Sequence, residues 1–195
     1  MLPEEFLAIA RDPLAWRAKA ISLRRSADVV WEEFASRFVG AVDRSSKATD
    51  PARSLEATDV LRNCQFLYSL AAECALKGLL IKQQPKEVVF ETRVDGTDRL
   101  IDASIRQIGS IRIDTHNLEK LAEISGMVEV GKNPELRELL EFSTFCINWI
   151  GRYPIPLNSD SDFMPRKKLP RIIFNHYYRD MMDPFLDALM AELDS

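Results

Sequence analysis

The chain has 195 residues, of which 46% are apolar and 29% charged, a composition typical of globular proteins and enough for one well-packed domain. Its net charge of −4 excludes general attraction of the whole surface to nucleic acid, which needs surplus Lys and Arg. Three cysteines without a CxxC pair indicate free thiols in a reducing compartment, and no stretch is apolar enough to cross a bilayer. We therefore expect a cytoplasmic protein without a membrane partner.

Two long helices are predicted in the N-terminal half, after a short helix over 3–10. Asp12-Pro13 is a typical helix start, and apolar residues at three- and four-residue steps predict a helix over 12–42. A second helix, over about 55–83, is apolar around much of its circumference, which is typical of the middle of a bundle. Gly78 costs about 1 kcal/mol relative to Ala inside that helix, so a close neighbouring backbone is expected there.

The pattern changes between residues 86 and 113. Val88-Val89-Phe90 and Leu100-Ile101 flank Asp95-Gly96-Thr97. Apolar arms around an Asp-Gly turn predict a small β-hairpin, inserted between the second and third main helices.

Further helices are predicted in the C-terminal half. Thr115 caps a short one, Asn133-Pro134 starts the next, and a last helical stretch follows Pro170, with a bend or restart at Pro184. The elements together predict a single all-α domain over residues 1–195. It is a bundle of four or five main helices with the small hairpin as an insertion.

Three short blocks follow one another in a characteristic order: residues 71–80 (AAECALKGLL), 115–122 (THNLEKLA) and 152–154 (RYP). Together they resemble the HEPN family of small helical bundles, over about residues 55–193. The resemblance implies a HEPN-like bundle, a homodimer, and a role in RNA or nucleotide biology, as in toxin–antitoxin or phage-defence systems. The hairpin insertion and the long first helix depart from the family's pattern.

Two of these blocks carry ionisable residues that we interpret as structural. Glu73 and Lys77 stand four residues apart on a helix, the spacing of an intrahelical ion pair. His116 follows the capping Thr115, where a ring nitrogen can bond a neighbouring backbone group.

Catalytic members of the family resemble metal-independent ribonucleases that use an Arg a few residues before a His. Arg171 and His176 form such an Arg-x4-His pair, and Tyr178 follows two residues later. A His can accept the proton of a ribose 2′-hydroxyl, and a guanidinium can stabilise the charged phosphate, so RNA is cut and DNA is not. The resemblance implies that Tyr178 positions RNA or is the residue modified by a nucleotidyltransferase partner. It implies no metal and no cofactor.

Other basic and aromatic residues are candidate contacts for RNA or a nucleotide, because cations bind phosphate and aromatic rings stack on bases. They are Arg152, Tyr153, Lys167 and Lys168.

Two functions stay open at this point. One is a metal-independent RNase of the toxin or defence type, in which Arg171, His176 and Tyr178 line a cleft shared by two copies. The other is a non-catalytic binding or scaffold module for a nucleotide, an RNA or a partner protein. We favour the second, because Arg is abundant in this chain and an Arg precedes one of its two His residues at this spacing by chance in many sequences.

Overall fold

A computed structural model describes residues 1–42, 51–129, 132–150 and 177–195, with side chains described there except at 38–42, 51–57, 149, 150 and 177. The elements in chain order are α1 (Pro3–Arg11), α2 (Pro13–Val42), α3 (Pro51–Gln83), a 3₁₀ turn (Pro85–Glu87), β1 (Val88–Val94), β2 (Leu100–Ile108), β3 (Ile111–Arg112), α4 (Leu118–Ile124), α5 (Pro134–Phe145), a π-helical turn (Cys146–Ile150) and α6 (Tyr177–Asp194).

The prediction of an all-α fold is wrong. The described residues include a three-stranded antiparallel sheet in the order β1-β2-β3, so the fold is mostly helical but mixed α and β. The predicted hairpin itself is present, because β1 pairs with β2 around the turn at 95–99. The chain then reverses again at Gly109, whose φ of 56° favours glycine. The resulting strand, β3, has two residues, too few to show an alternating pattern in the sequence.

The central helix of the fold is α3, which packs against α2, α4, α5 and α6. Apolar residues from all sides of its second half are fully buried, among them Leu76, Leu80 and Ile81. Residues 58–83 form the one helix in the described ranges that is long and apolar enough to cross a membrane, with a mean hydropathy of 1.3. Because 78% of its most apolar 18-residue segment is buried inside the protein, its apolar character is that of a core helix, in agreement with a soluble protein.

The start of α2 approaches α3 closely, as the position of Gly78 predicted. A Cβ added at Gly78 would lie 2.8 Å from the Cβ of Trp16 and 3.5 Å from the carbonyl oxygen of Pro13. Trp16 is held in turn by a hydrogen bond of 3.1 Å from its indole Nε1 to the Ala10 carbonyl oxygen of α1. Asp12 accepts a bond of 3.0 Å from the Leu14 amide and so caps α2.

Salt bridges connect α2 to α6. Arg24 binds Asp183 at 2.8 Å and Asp187 at 2.5 Å. Arg179 reaches back from α6 to Glu32 on α2 at 3.2 Å. These partly exposed pairs contribute little each to the free energy of folding.

The last helix, α6, runs through Pro184 without interruption, so the predicted restart does not occur. The predicted beginning of this stretch, after Pro170, lies outside the described residues. At its other end, Lys82 of α3 donates to the Glu192 carbonyl oxygen at 2.7 Å, which satisfies a backbone group that the helix end leaves open.

Candidate functional site

Of the seven residues predicted as a site from the sequence, one lies within the described ranges, Tyr178. The other six lie outside them: Arg152, Tyr153, Lys167, Lys168, Arg171 and His176. The proposed Arg-x4-His pair and the RNA contacts therefore stay predictions.

Tyr178 lies in the first turn of α6 and is fully buried. Its hydroxyl oxygen is 2.9 Å from Ser69 Oγ on α3 and 2.8 Å from Ser143 Oγ on α5. Its ring packs edge-on against Phe142, with 5.8 Å between centroids. Burial in this apolar setting raises the pKa of the Tyr178 hydroxyl far above its usual value, so the group stays protonated.

The hydroxyl groups of Ser69, Ser143 and Tyr178 form a cluster that has fewer hydroxyl protons than hydrogen-bonding contacts. Ser69 Oγ lies 2.7 Å from the Gln65 carbonyl oxygen, and Ser143 Oγ lies 2.8 Å from the Leu139 carbonyl oxygen. The Tyr178 hydroxyl also lies 3.4 Å from the Gln65 carbonyl oxygen. With the two bonds between Tyr178 and the serines this makes five contacts, but three hydroxyls carry only three protons. Either serine can therefore donate to its own helix when the tyrosine bond is absent.

This arrangement makes Tyr178 a connector between α3, α5 and α6. In the described conformation neither an RNA base nor a modifying enzyme reaches the ring without displacing the first turn of α6. Access to Tyr178 is therefore a condition that the RNase hypothesis has to meet.

The first two sequence blocks meet in a buried charged cluster. Lys77 Nζ donates to Glu73 Oε1 at 2.5 Å and to the Ile113 carbonyl oxygen at 2.6 Å. His116 Nδ1 lies 3.1 Å from both carboxylate oxygens of Glu73. The exposed fraction of the side chain is 9% for Glu73, 5% for Lys77 and 30% for His116.

The cluster joins the segment after β3 to the central helix. Because the Glu73 carboxylate bound by Lys77 can only accept, the Nδ1 of His116 carries the proton in this contact, which leaves Nε2 as the ring's second site. Such a pair resembles the carboxylate–imidazole half of a hydrolytic triad. Within the described ranges, however, no hydroxyl or thiol hydrogen-bonds to this ring.

Two details of the sequence interpretation change here. His116 bonds a carboxylate and not a backbone group. The capping residue of α4 is Asn117, whose side chain accepts from the Lys120 amide at 2.9 Å. The predicted cap, Thr115, therefore lies before the helix, and its amide instead donates to the Arg112 carbonyl oxygen.

The three thiols are free, as predicted, and their surroundings disfavour the reactive thiolate form. Burial raises the pKa of Cys64 to about 12 and that of Cys74 to about 11, so both stay protonated at neutral pH. Burial likewise raises the pKa of the enclosed Cys146 thiol. Within the described ranges, no three His, Cys, Asp or Glu side chains are grouped as a metal would require.

An open apolar groove of about 330 Å³ lies where α1, α2, α3 and β2 meet. Its accessible lining is apolar throughout and is formed by Met1, Phe6, Ile9, Ala10, Ala15, Trp16, Lys19, Cys74 and Ile105. Lys19 brings the one charged side chain among these residues, and it is exposed on α2. The volume is at the lower end of the range of about 300–1,000 Å³ seen for ligand pockets.

Large apolar side chains are exposed in this lining and at positions next to it in the chain. The exposed fraction is 57% for Leu2, 49% for Ile9 and 59% for Leu14. An apolar groove with apolar residues at its rim is typical of a surface that binds another molecule. The sequence analysis missed it, although Leu14 next to the Asp12-Pro13 helix start, off the apolar face of α2, was a signal.

Comparison with known proteins finds no matching family model, no matching curated protein and no matching solved structure.

Proposed function

We propose that this protein is a non-catalytic binding module that docks a partner protein in the groove between α1 and α2. The observation that carries the proposal is the coincidence of an apolar groove with exposed Leu2, Ile9 and Leu14 beside it. Exposed apolar surface in water is unfavourable by about 25 cal/mol per Å², and a partner that covers it recovers that free energy.

The chemistry of the groove favours a peptide over a nucleotide. A phosphate chain needs several cations or a row of free backbone amides, and Lys19 is the one cationic side chain in this lining. In a partner segment with one or two large apolar side chains next to an Asp or Glu, the apolar side chains can pack against the lining. The carboxylate can then form an ion pair with Lys19. The expected motif is therefore an apolar anchor followed or preceded by a carboxylate.

The buried ionisable groups support a module without catalysis. Glu73 and Lys77 neutralise one another inside the protein, and the Tyr178 hydroxyl is enclosed by two serines. A catalytic group has to reach its substrate in the correct protonation state, and these groups are engaged in holding helices together.

The test selects peptides from a phage-displayed random library on the purified protein and measures a labelled, enriched peptide by fluorescence anisotropy. Ala15→Phe fills the groove and is expected to abolish binding, and Lys19→Glu is expected to weaken peptides that carry a carboxylate. Lys120→Glu, the same charge reversal on exposed α4, is the matched control and should bind as the parent does. Failure to enrich any motif, or equal binding by Ala15→Phe, contradicts the proposal.

The competing proposal is the metal-independent RNase implied by the Arg-x4-His pattern. Parent protein and His176→Ala are incubated with mixed RNA in EDTA. Cleavage by the parent that the variant lacks would replace the binding module with an RNase. The HEPN resemblance, with the homodimer and the nucleotidyltransferase-type partner it implies, is carried by the three sequence blocks alone.

A further inference from the structure

β1 is an outer strand of the sheet in the described part of the chain, hydrogen-bonded to β2 on one side. Both irregularities in the pairing place the extra residue in β2, at Ile101 and Arg106, so β1 itself is an unbroken seven-residue strand. Natural edge strands are usually protected by a proline, a bulge or a covering segment. β1 has neither a proline nor a bulge, and its two charged residues, Glu91 and Arg93, have opposite signs, so they oppose pairing in some registers and favour it in others.

The outer half of β1 is exposed on both faces. All residues from Glu91 to Val94 are exposed, and Val94 is exposed to 51%. α1 contacts the sheet mainly at β2. It reaches β1 through Arg11, whose guanidinium lies 4.7 Å from the ring centroid of Phe90.

The charges of this edge alternate. Glu91 forms an ion pair with Arg106, and Arg93 lies 3.9 Å from Asp102. All four side chains are more than half exposed, and the two on β1 lie on one face of the sheet because they are two residues apart.

Only a few symmetric registers exist for two copies of such a strand. When a two-fold axis perpendicular to the sheet relates the two strands, the residue beside the axis lies opposite the same residue of the second copy. An axis beside Glu91 opposes two carboxylates, and an axis beside Phe90 opposes Glu91 with Val89. An axis beside Thr92 places Glu91 of each copy opposite Arg93 of the other. It likewise places Phe90 of each copy opposite Val94 of the other.

We propose that β1 pairs antiparallel with β1 of a second copy of this chain, about a two-fold axis beside Thr92. Across the joined edge the charges run Asp102, Arg93, then Glu91 and Arg106 of the second copy, alternating in sign along the whole row. Opposite charges in cross-strand positions stabilise a sheet, and like charges destabilise it. The interface differs from the groove between α1 and α2, so its test is independent of the proposed function.

The first test uses disulfide trapping. Residues directly opposite in antiparallel strands have Cα atoms about 4.5–5.5 Å apart, within the span of about 4.4–6.8 Å that a disulfide bridges. Thr92→Cys is therefore expected to form a covalent dimer under mild oxidation. Thr97→Cys, in the turn of the same hairpin, is the matched control and should stay largely monomeric. Equal trapping of both variants, or none of Thr92→Cys, overturns the register.

The second test reverses the charge of single residues on β1 and measures the oligomeric state by sedimentation analysis. Protein concentrations up to about 1 mM are used so that weak association is detected. The parent should dimerise, less so at high salt, whereas Arg93→Glu and Glu91→Arg should each be monomeric. Mixed together they should form a heterodimer, because the mixture restores both opposite-charge pairs. The heterodimer also shows that each variant is folded. Arg62→Glu, an exposed reversal on α3, should dimerise as the parent does. A monomeric parent, or a mixture without heterodimer, overturns the proposal.

Discussion

Replacement of Gly78 by alanine tests how closely α2 and α3 approach. Helix propensity alone predicts that Gly78→Ala stabilises the protein by about 1 kcal/mol, because glycine is the poorer helix former. The tertiary structure predicts the opposite sign. The new Cβ would lie 2.8 Å from the Cβ of Trp16, about 0.7 Å closer than the ~3.5 Å at which two carbon atoms attract best.

The contact cannot be relieved by a side-chain rotation. The Cβ of Trp16 is attached directly to the α2 backbone, and its indole is held by the Ala10 carbonyl oxygen at 3.1 Å. Overpacking of this kind costs about 1–3 kcal/mol. After subtraction of the propensity gain of about 1 kcal/mol, we expect Gly78→Ala to lower the free energy of unfolding by up to about 2 kcal/mol.

The assay is thermal unfolding followed by circular dichroism. For a chain of this size the expected loss lowers Tm by up to about 8 °C. The control is Asn63→Ala, an exposed position on the same helix, where the propensity gain of about 0.5 kcal/mol is unopposed and Tm should rise slightly. If Gly78→Ala raises Tm as Asn63→Ala does, the close approach of the two helices is refuted.

Three further predictions concern the polar groups. Lys77→Met leaves the Glu73 carboxylate buried with only the imidazole as partner and should cost about 3–5 kcal/mol by denaturant unfolding. Tyr178→Phe keeps the ring and lets both serines donate to their own helices, so the expected cost is only about 1 kcal/mol. The pKa of Asp95 is lowered by hydrogen bonds from the Thr97 hydroxyl and from backbone amides. Thr97→Val should therefore raise it toward the ordinary value in an NMR titration.

Each of these has a result that would contradict it. Glu73→Leu added to Lys77→Met should recover much of the lost stability, and strictly additive losses would exclude a coupled pair. A loss for Tyr178→Phe as large as for Tyr178→Ala would mean that the hydroxyl, and not the ring, holds α6. The lowered pKa of Asp95 means that its contribution to the turn is present above the unfolded pKa and is lost as pH falls through the folded one. An unchanged titration in Thr97→Val would contradict that assignment.

Local patterns predicted most of the helices. The Asp12-Pro13 start, the run of apolar residues on α3 and the Asn133-Pro134 start each depend on residues close together in the chain, and the structure has helices at all three. The Asp-Gly turn likewise located the hairpin. Such signals are readable because helix caps and turns are made by neighbouring residues.

The sequence by itself also determined which residues belong inside, since apolar periodicity marks a buried face whatever covers it. It could not determine what lies opposite. The two-residue β3 exists because β2 turns back at Gly109, and the burial of Tyr178 depends on serines that are 109 and 35 residues away in the chain. The groove is formed by four elements at once, none of which signals it alone. Contacts between distant segments depend on how whole helices pack, and therefore only the tertiary structure decided them.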